Sequence, residues 1–285
     1  MKVVIYQIMN HHRSQVVCAA FEAGIRRVGD TVTRIPSVNY RGTPEFNVCV
    51  FYGLQGPLKA AFNDYSRDPH RRVVFVDLGY IGRKSHGRFQ GFHKVTVDSR
   101  HPTKYFQRVK HDQSRLDTLG LDVAPWREPS PDGHIVVAGM APKGAHAEGF
   151  APMGWERRAI ATMRKHTKRR IVYRPKPNWL GAVPIPGAEY SRPGARTLLQ
   201  DLEGAHAIVS HHSNANIEAL VAGVPGFTEG GLASAISSSD LTQIESPRMD
   251  GDRVQWLADL AWCQWSISEI AEGLPWRHLK DEGLI

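Results

Sequence analysis

The sequence predicts a doubly wound α/β architecture, in which short buried strands alternate with helices along the chain. Three observations support this fold class. Apolar runs of strand length alternate with runs of helical periodicity, the alternation restarts after a Pro-rich stretch, and the 285 residues exceed the length of a typical single domain. We therefore expect two lobes of similar βα design.

The expected first lobe covers residues 1–122 and opens with a strand over 3–7. A helix over 14–27 follows, in which apolar residues such as Phe21 and Ile25 are spaced for one face. The further elements expected in this lobe are strands over 31–35, 48–52, 73–77 and 95–97, a helix over 58–64, and a helix or pair of turns over 103–119.

A Pro-rich stretch over residues 123–133 is expected to link the lobes, because it contains three Pro and few apolar residues. The alternation then restarts in a second lobe over 134–265, which a helical segment over 266–285 follows. The elements expected in the second lobe are strands over 134–138, 170–173 and 207–209 and helices over 153–166, 197–203 and 217–222.

The formal net charge of +8 is concentrated in two segments. Residues 67–115 hold twelve Lys or Arg against four Asp, and residues 157–176 hold nine Lys or Arg and no acid. Aromatic residues such as Tyr80 and Phe92 are interleaved with the first segment. Basic groups neutralise phosphates and rings stack on bases, so this segment favours a polyanionic partner such as DNA. For the second segment we favour a solvated basic surface.

Composition excludes a disulfide-rich secreted protein and a membrane-spanning one. The three Cys cannot all pair, and no apolar run approaches the roughly 20 residues of a membrane span. The first apolar run is broken by Gln7 and lacks a cleavage site, so we expect a strand, not a signal peptide, and a cytoplasmic protein. Neither histidine pair, at 11–12 and at 211–212, has Cys or Asp at zinc spacing, so no metal site is expected.

The stretch AHAIVSHHSNANIEALVAGVPGF, residues 205–227, is the most informative part of the chain. It predicts a strand, then a polar turn over 210–216, then a helix that ends before Pro225. The first turn of such a helix presents unpaired N–H groups, and its dipole favours an anion. The alternative is an ordinary crossover, in which the Ser and Asn residues only cap the helix.

This stretch resembles the donor-site motif of GT-B glycosyltransferases, in which a small polar turn, a helix that carries Glu and a Gly-Xaa-Pro break follow one another. The resemblance implies two Rossmann-like lobes facing a central cleft and a nucleotide-sugar co-substrate such as a UDP-sugar, with no tightly bound cofactor and no required divalent cation. It implies that residues 266–285 return towards the first lobe, and that Glu218 contacts the ribose. The implied diphosphate or sugar contacts are Ser213, Asn214 and Asn216. Further donor-site candidates in the same turn are Ser210, His211 and His212, of which either histidine would bond a phosphate.

Two other strand exits of the second lobe carry donor-site candidates. Gly139 would let the backbone approach a ligand, and Lys143 would meet a phosphate. Arg174 and Lys176 lie in an Arg-Pro-Lys-Pro segment, which is similar to one found after the corresponding strand of some GT-B enzymes. Ligands of open α/β sheets bind beyond the carboxyl ends of the strands, so we expect these residues to share one site.

The resemblance implies that the catalytic group comes from the first lobe. Inverting transfer, which we expect here, needs a base that removes the acceptor proton. Asp77 is the leading candidate because it ends an apolar strand, and Asp98 is the alternative; either residue would otherwise be a cap or turn residue. Acceptor contacts are expected from His11, Gly53, Gln55, Tyr80, Arg83 and Arg88.

The size and basic first lobe are similar to those of bacteriophage enzymes that glycosylate hydroxymethylated pyrimidines in DNA. The leading expectation is therefore a glycosyltransferase that acts on modified double-stranded DNA in the host cytoplasm. One alternative is a transferase for a surface polysaccharide or lipid-linked sugar, in which basic patches hold an anionic membrane. Another is a noncatalytic nucleotide- or nucleic-acid-binding protein.

Overall fold

The computed structural model describes residues 1–42, 46–82, 91–102, 105, 109–128 and 130–285. The chain divides into two compact units, of which unit 1 comprises Met1–Leu119 and Ala258–Ile285, and unit 2 comprises Gly120–Leu257. The expected linker therefore lies inside unit 2, and the chain rejoins unit 1 at Ala258, before residue 266. Within the described residues, helices are too short or too polar to cross a membrane.

Strands and helices alternate along most of the described chain. The strands are β1 (Lys2–Gln7), β2 (Thr31–Pro36), β3 (Val48–Tyr52), β4 (Arg72–Leu78), β5 (His93–Val97), β6 (His134–Ala138), β7 (Ile171–Arg174), β8 (Glu189–Tyr190), β9 (Ala205–Ser210), β10 (Gly226–Thr228) and β11 (Gln264–Trp265). The helices are α1 (His12–Arg27), α2 (Leu58–Arg67), α3 (Ser114–Thr118), α4 (Pro142–Ala147), α5 (Gly154–Met163), α6 (Leu198–Leu202), α7 (Ala215–Val221), α8 (Arg253–Ala261), α9 (Ile267–Ala271) and α10 (Leu274–Asp281).

Unit 1 is built on a six-stranded sheet with the order β11-β5-β4-β3-β1-β2. Strands β1 to β4 run parallel, whereas β5 is antiparallel to β4, and β11 is antiparallel to β5. Successive side chains of a strand point to opposite faces, so each face has its own core. One face packs against α1, α9 and α10, and the other packs against α2.

Unit 2 contains a five-stranded sheet with the order β10-β9-β6-β7-β8, in which all neighbouring strands are parallel. Helix α5 covers one face, and α6 and α7 cover the other. The predicted α/β fold is therefore confirmed, and the unit 1 sheet adds two antiparallel strands, β5 and β11. Because the strands are parallel, their carboxyl ends meet at one edge of the sheet, where ligands of such sheets bind.

Asp30 joins the start of β2 to the last helix of unit 1. Its carboxylate accepts hydrogen bonds from the Met1 amino group at 2.7 Å, from Trp276 Nε1 at 2.8 Å and from Lys280 Nζ at 2.9 Å. Burial alone would raise the pKa of Asp30, but these three donors outweigh it and lower the pKa to about 2. The charged form of Asp30 therefore stabilises the folded state.

Acid is expected to remove this contribution. The folded-state pKa of Asp30 lies below the unfolded value of about 3.9, so the stabilisation is present above that value and is lost as the pH falls towards 2. The free energy of unfolding of the wild type and of Asp30→Asn should be measured by urea denaturation at several acidic pH values. We expect the difference between them to shrink as the pH falls; a pH-independent difference would contradict this role.

Candidate functional site

Lys176 and Ser213, which follow two different strands of unit 2, meet at the carboxyl edge of the sheet. Lys176 Nζ donates a hydrogen bond to Ser213 Oγ at 3.0 Å, and the Ser213 N–H donates to Ser210 Oγ at 3.2 Å. Ser210 is fully buried, and its hydrogen bond with Ser213 joins the turn to the end of β9. Lys176 and Ser213 are half-buried, and their polar atoms border the strand exits.

Helix α7 starts directly after this turn. Asn214 is its N-cap residue and makes no side-chain capping hydrogen bond. Glu218 lies in the first turn of the helix and is half-buried. The structure thus brings together four of the predicted donor residues, Lys176, Ser213, Asn214 and Glu218, over a short segment of the sheet edge.

Arg174 has a structural partner instead of an open position. Its Nη1 lies 2.5 Å from Oδ2 of the buried Asp201, which also accepts a hydrogen bond from Ser191 Oγ at 2.8 Å. The other oxygen of this carboxylate, Oδ1, forms an ion pair with Arg196 Nε at 2.9 Å. Donor binding by Arg174 stays a prediction. Its guanidinium neutralises a carboxylate of its own unit, which is not visible from the sequence.

Asn216 and Gly139 also serve packing. Asn216 is fully buried, and its Nδ2 donates to the Phe227 carbonyl oxygen at 3.1 Å, which ties α7 to β10. A Cβ atom on Gly139 would lie 3.0 Å from Oε1 of the buried Glu156 and 3.0 Å from Cε2 of Tyr173. Protein atoms therefore occupy the space beside Gly139 that the sequence interpretation left for a ligand.

Lys143 lies near the start of α4, a short helix that the sequence did not predict. Pro142 occupies the first turn of this helix, where its missing N–H costs no hydrogen bond. The Lys143 side chain is exposed. It remains a candidate for contact with a phosphate.

The two histidines of the motif turn lie together with a carboxylate from α4's end. His211 Nδ1 is 2.7 Å from His212 Nδ1, and ligand atoms of these residues and of Glu148 all lie within 4.8 Å of one another. The expectation of no metal site considered only neighbours in sequence. That expectation did not include Glu148, because the order of the strands, and not residue spacing, brings its carboxylate to the turn.

In unit 1, Asp77 lies at the carboxyl end of β4. Its Oδ1 accepts a hydrogen bond from the Leu78 N–H at 2.8 Å, and Lys94 of β5 is its partner in the antiparallel register. Lys94 is buried between the rings of Phe75 and Tyr80, at 5.2 and 5.4 Å from their centroids. Burial lowers the pKa of Lys94 to about 8, while the negative charge of Asp77 opposes that shift.

Three residues that the sequence interpretation did not select lie near Asp77: Arg13, Tyr52 and His93. The Tyr52 ring is 6.0 Å from His93, and burial, followed by the influence of Arg13 and Asp77, leaves the pKa of Tyr52 raised. His93 is 1% exposed, and neither of its ring nitrogens makes a hydrogen bond within the described residues. Burial and then the Arg13 charge lower the pKa of His93 to about 4, so its imidazole is neutral at neutral pH.

The predicted acceptor residues are distributed differently from the expectation. His11 caps α1 by accepting a hydrogen bond from the Ser14 N–H, and its ring lies 5.7 Å from Tyr52. Gly53 has a φ of 74°, which suits glycine, and Gln55 is exposed at the turn that follows β3. Tyr80 is 2% exposed and lies 3.0 Å from His101 Nδ1 through its hydroxyl, so its ring is not open for stacking. The predicted Arg83 and Arg88 lie outside the described residues.

Asp98, the alternative base, lies at the opposite edge of the sheet. Because β5 is antiparallel, Asp98 follows it next to the start of β4, where its Oδ1 accepts a hydrogen bond from the Val73 N–H at 2.8 Å. It has a φ of 53° and borders a cavity of about 620 Å³ within unit 1. The structure thus separates Asp98 from the edge that carries Asp77, and only Asp77 is retained as a candidate base.

No protein-family model and no curated protein matches the chain. Several solved structures resemble it. One is the beta Kdo 2,7 transferase of Thermosulfurimonas dismutans KpsC, with 14% identity, a TM-score of 0.57 and coverage of 98% of this chain and 100% of that chain. Another is the beta Kdo 2,4 transferase of the same protein, with 10% identity, a TM-score of 0.52 and coverage of 91% and 90%. The likeness confirms the predicted fold class, the α/β fold with two Rossmann-like lobes found in GT-B glycosyltransferases.

Proposed function

We propose that this protein is a glycosyltransferase that moves a sugar from a nucleotide-sugar donor to a hydroxyl acceptor. The observation that carries the proposal is the contact of 3.0 Å between Lys176 Nζ and Ser213 Oγ at the carboxyl edge of the unit 2 sheet. An ammonium group beside a hydroxyl group and a polar turn suits the oxygens of a diphosphate. The GT-B-like fold supports this assignment, since the contact lies where such sheets bind nucleotides.

In this proposal, different residues bind the diphosphate and the ribose of the donor. Lys176, Ser213 and Asn214 bind the diphosphate, and Lys143 adds a second cation. Glu218 accepts hydrogen bonds from the ribose hydroxyls, for which its half-buried position in the first turn of α7 is suited. A UDP-sugar is the first donor to test.

Unit 1 supplies the base. Asp77 accepts the proton of the acceptor hydroxyl as the new glycosidic bond forms, and the sugar leaves its diphosphate with inversion.

For the acceptor we propose a saccharide hydroxyl. Within the basic segment of residues 67–115, Lys94 and Arg115 are buried, and Arg115 pairs with Glu269. Arg71 pairs with Asp68 at 2.8 Å. These groups are thus less available to DNA phosphates than the sequence suggested. The similarity to two Kdo transferases agrees with a saccharide acceptor, and hydroxymethylated DNA is the comparison to include.

The test begins with the donor. Thermal-shift measurements with a panel of nucleotide sugars should find at least one that raises the melting temperature, because a ligand that binds the folded state stabilises it. Slow hydrolysis of that donor and transfer of its labelled sugar to saccharide acceptors should follow. Binding without hydrolysis or transfer would indicate a noncatalytic binding protein. Transfer to hydroxymethylated DNA, but not to unmodified DNA or saccharides, would replace the proposed acceptor.

Glu218→Ala is expected to weaken donor binding without unfolding the protein. Loss of hydrogen bonds to a charged group costs about 1.5–3 kcal/mol, which corresponds to roughly a tenfold to hundredfold increase in Kd. Calorimetric titration with the identified donor measures this change. Glu203→Ala is the matched control, because Glu203 is exposed at the end of α6. Equal affinity of both variants would remove the ribose role from Glu218.

A further inference from the structure

The turn after β9 carries a side-chain cluster that the proposed function does not use. Glu148, His211 and His212 offer one carboxylate oxygen and two imidazole nitrogens, all within 4.8 Å of one another. We propose that these three residues bind a divalent transition-metal ion. Their chemistry favours zinc, cobalt or nickel, since imidazole ligands suit those ions, whereas magnesium and calcium prefer sites made of oxygen ligands.

The convergence of two consecutive histidines depends on the turn. The rings of His211 and His212 are nearly perpendicular, with centroids 4.9 Å apart, and their Nδ1 atoms are 2.7 Å apart. Two imidazole nitrogens at such a distance share either a proton or a cation. Tetrahedral zinc with bonds of about 2.0–2.1 Å separates two nitrogen ligands by about 3.3 Å, which small ring rotations supply.

A second carboxylate supports the orientation of His211. Its Nε2 lies 3.8 Å from Glu229 Oε2, so the nitrogen that faces away from His212 is directed towards a carboxylate. Glu229 is itself held by Trp155 Nε1 at 2.8 Å and by Arg158 Nη2 at 2.9 Å. Histidines that bind metal commonly direct their other nitrogen to a carboxylate, which fixes the tautomer and the ring.

Aromatic contacts restrain the same ring. The His211 ring packs edge-on against Phe150 at 5.7 Å and against Trp155 at 5.8 Å between centroids. His211 is half-buried, whereas Glu148 and His212 are exposed. One ligand is therefore fixed before an ion arrives, and the other two are open to solvent, from which the ion enters.

Three protein ligands leave at least one coordination position for water or for an anionic oxygen. Ser213, which accepts the Lys176 hydrogen bond, directly follows His212. A bound ion would thus add positive charge beside the proposed diphosphate contact. This role of the ion rests on the proposed function, but the binding of the ion does not.

The test uses the full-length protein without a histidine tag, freed of metal by chelation. Titration with Co²⁺, followed by calorimetry and by visible absorption, should show one saturable equivalent, and Zn²⁺ should displace it. We expect His212→Gln and Glu148→Gln each to weaken Co²⁺ binding by roughly tenfold or more. His166→Gln is the matched control, because His166 is an exposed histidine of the same unit.

This metal titration contains no nucleotide, so it tests the metal site separately from the proposed transferase activity. Absence of saturable binding, or equal affinity in the wild type and in both cluster variants, would overturn the metal site. Because both substituted side chains are exposed, melting temperatures close to the wild-type value are expected and confirm that the variants fold. Metal binding with no nucleotide-sugar binding would leave the site intact and refute only the proposed transferase activity.

Discussion

Asp77→Asn is expected to reduce sugar transfer by about a hundredfold to ten-thousandfold, while the Kd for the donor stays unchanged. An amide cannot accept the proton of the acceptor hydroxyl, although it has nearly the same shape as the carboxylate. The amide oxygen can still accept the hydrogen bond from the Leu78 N–H, which is 2.8 Å long in the wild type. The loss should therefore appear in kcat.

The matched control is Asp98→Asn. Asp98 has a φ of 53°, a conformation that Asn tolerates well, and it lies at the opposite edge of the same sheet. Transfer rates at saturating donor and the donor Kd should be measured for both variants. A near-normal kcat in Asp77→Asn, or an equal loss in both variants, would move the base to another residue.

Asp201→Ala is expected to lower the free energy of unfolding by about 3 kcal/mol or more, because removing one partner of a buried ion pair leaves the other charge uncompensated. The Asp201 side chain is 3% exposed, and that of its partner Arg174 is 11% exposed. The substitution also removes the acceptor for Ser191 Oγ. Urea denaturation of the wild type and the variant measures the difference.

An exposed ion pair at the amino ends of β7 and β8 provides the comparison. Arg170 and Glu189 lie 3.0 Å apart, and both side chains are more than half exposed. Glu189→Ala should therefore change the free energy of unfolding by only about 0–1 kcal/mol. Similar losses in Asp201→Ala and Glu189→Ala would mean that Asp201 does not organise the exit of β7.

The fold was predictable where a strand is a continuous buried run. The predicted bounds of β3 and β6 match the observed Val48–Tyr52 and His134–Ala138, since every residue of each is buried. By contrast, β8 and β11 contain two residues each. Such a short strand has no periodicity and is defined by its partner, as Trp265 is by His93.

The direction of a strand has no local signal either. The predicted strand over residues 95–97 was placed near the end of β5, but nothing in its composition indicates that it runs antiparallel to β4. That direction decides the position of Asp98. Asp98 therefore lies beside the start of β4, at the opposite edge of the sheet from Asp77.

Site residues could be predicted where they directly follow a strand that the sequence predicts. Lys176 and Ser213 meet because both follow parallel neighbours of β6. The same reasoning did not predict the ion pair between Arg174 and Asp201, because a partner that is distant in the sequence leaves no local signal. Glu148 could not be predicted from strand exits, because no fixed spacing in the sequence connects it to His211 and His212.

Unit 1 takes β11 from residues that follow the whole of unit 2. Gln264 Oε1 accepts the N–H groups of Tyr80 at 2.9 Å and of Ile81 at 3.1 Å, so this late residue completes a segment that precedes it by most of the chain. During synthesis, unit 2 is therefore the first unit to be complete. Until β11 has been synthesised, β5 is an unpaired edge strand of the unit 1 sheet. Such edges recruit foreign strands, so aggregation of nascent chains should depend on how quickly the last segment arrives.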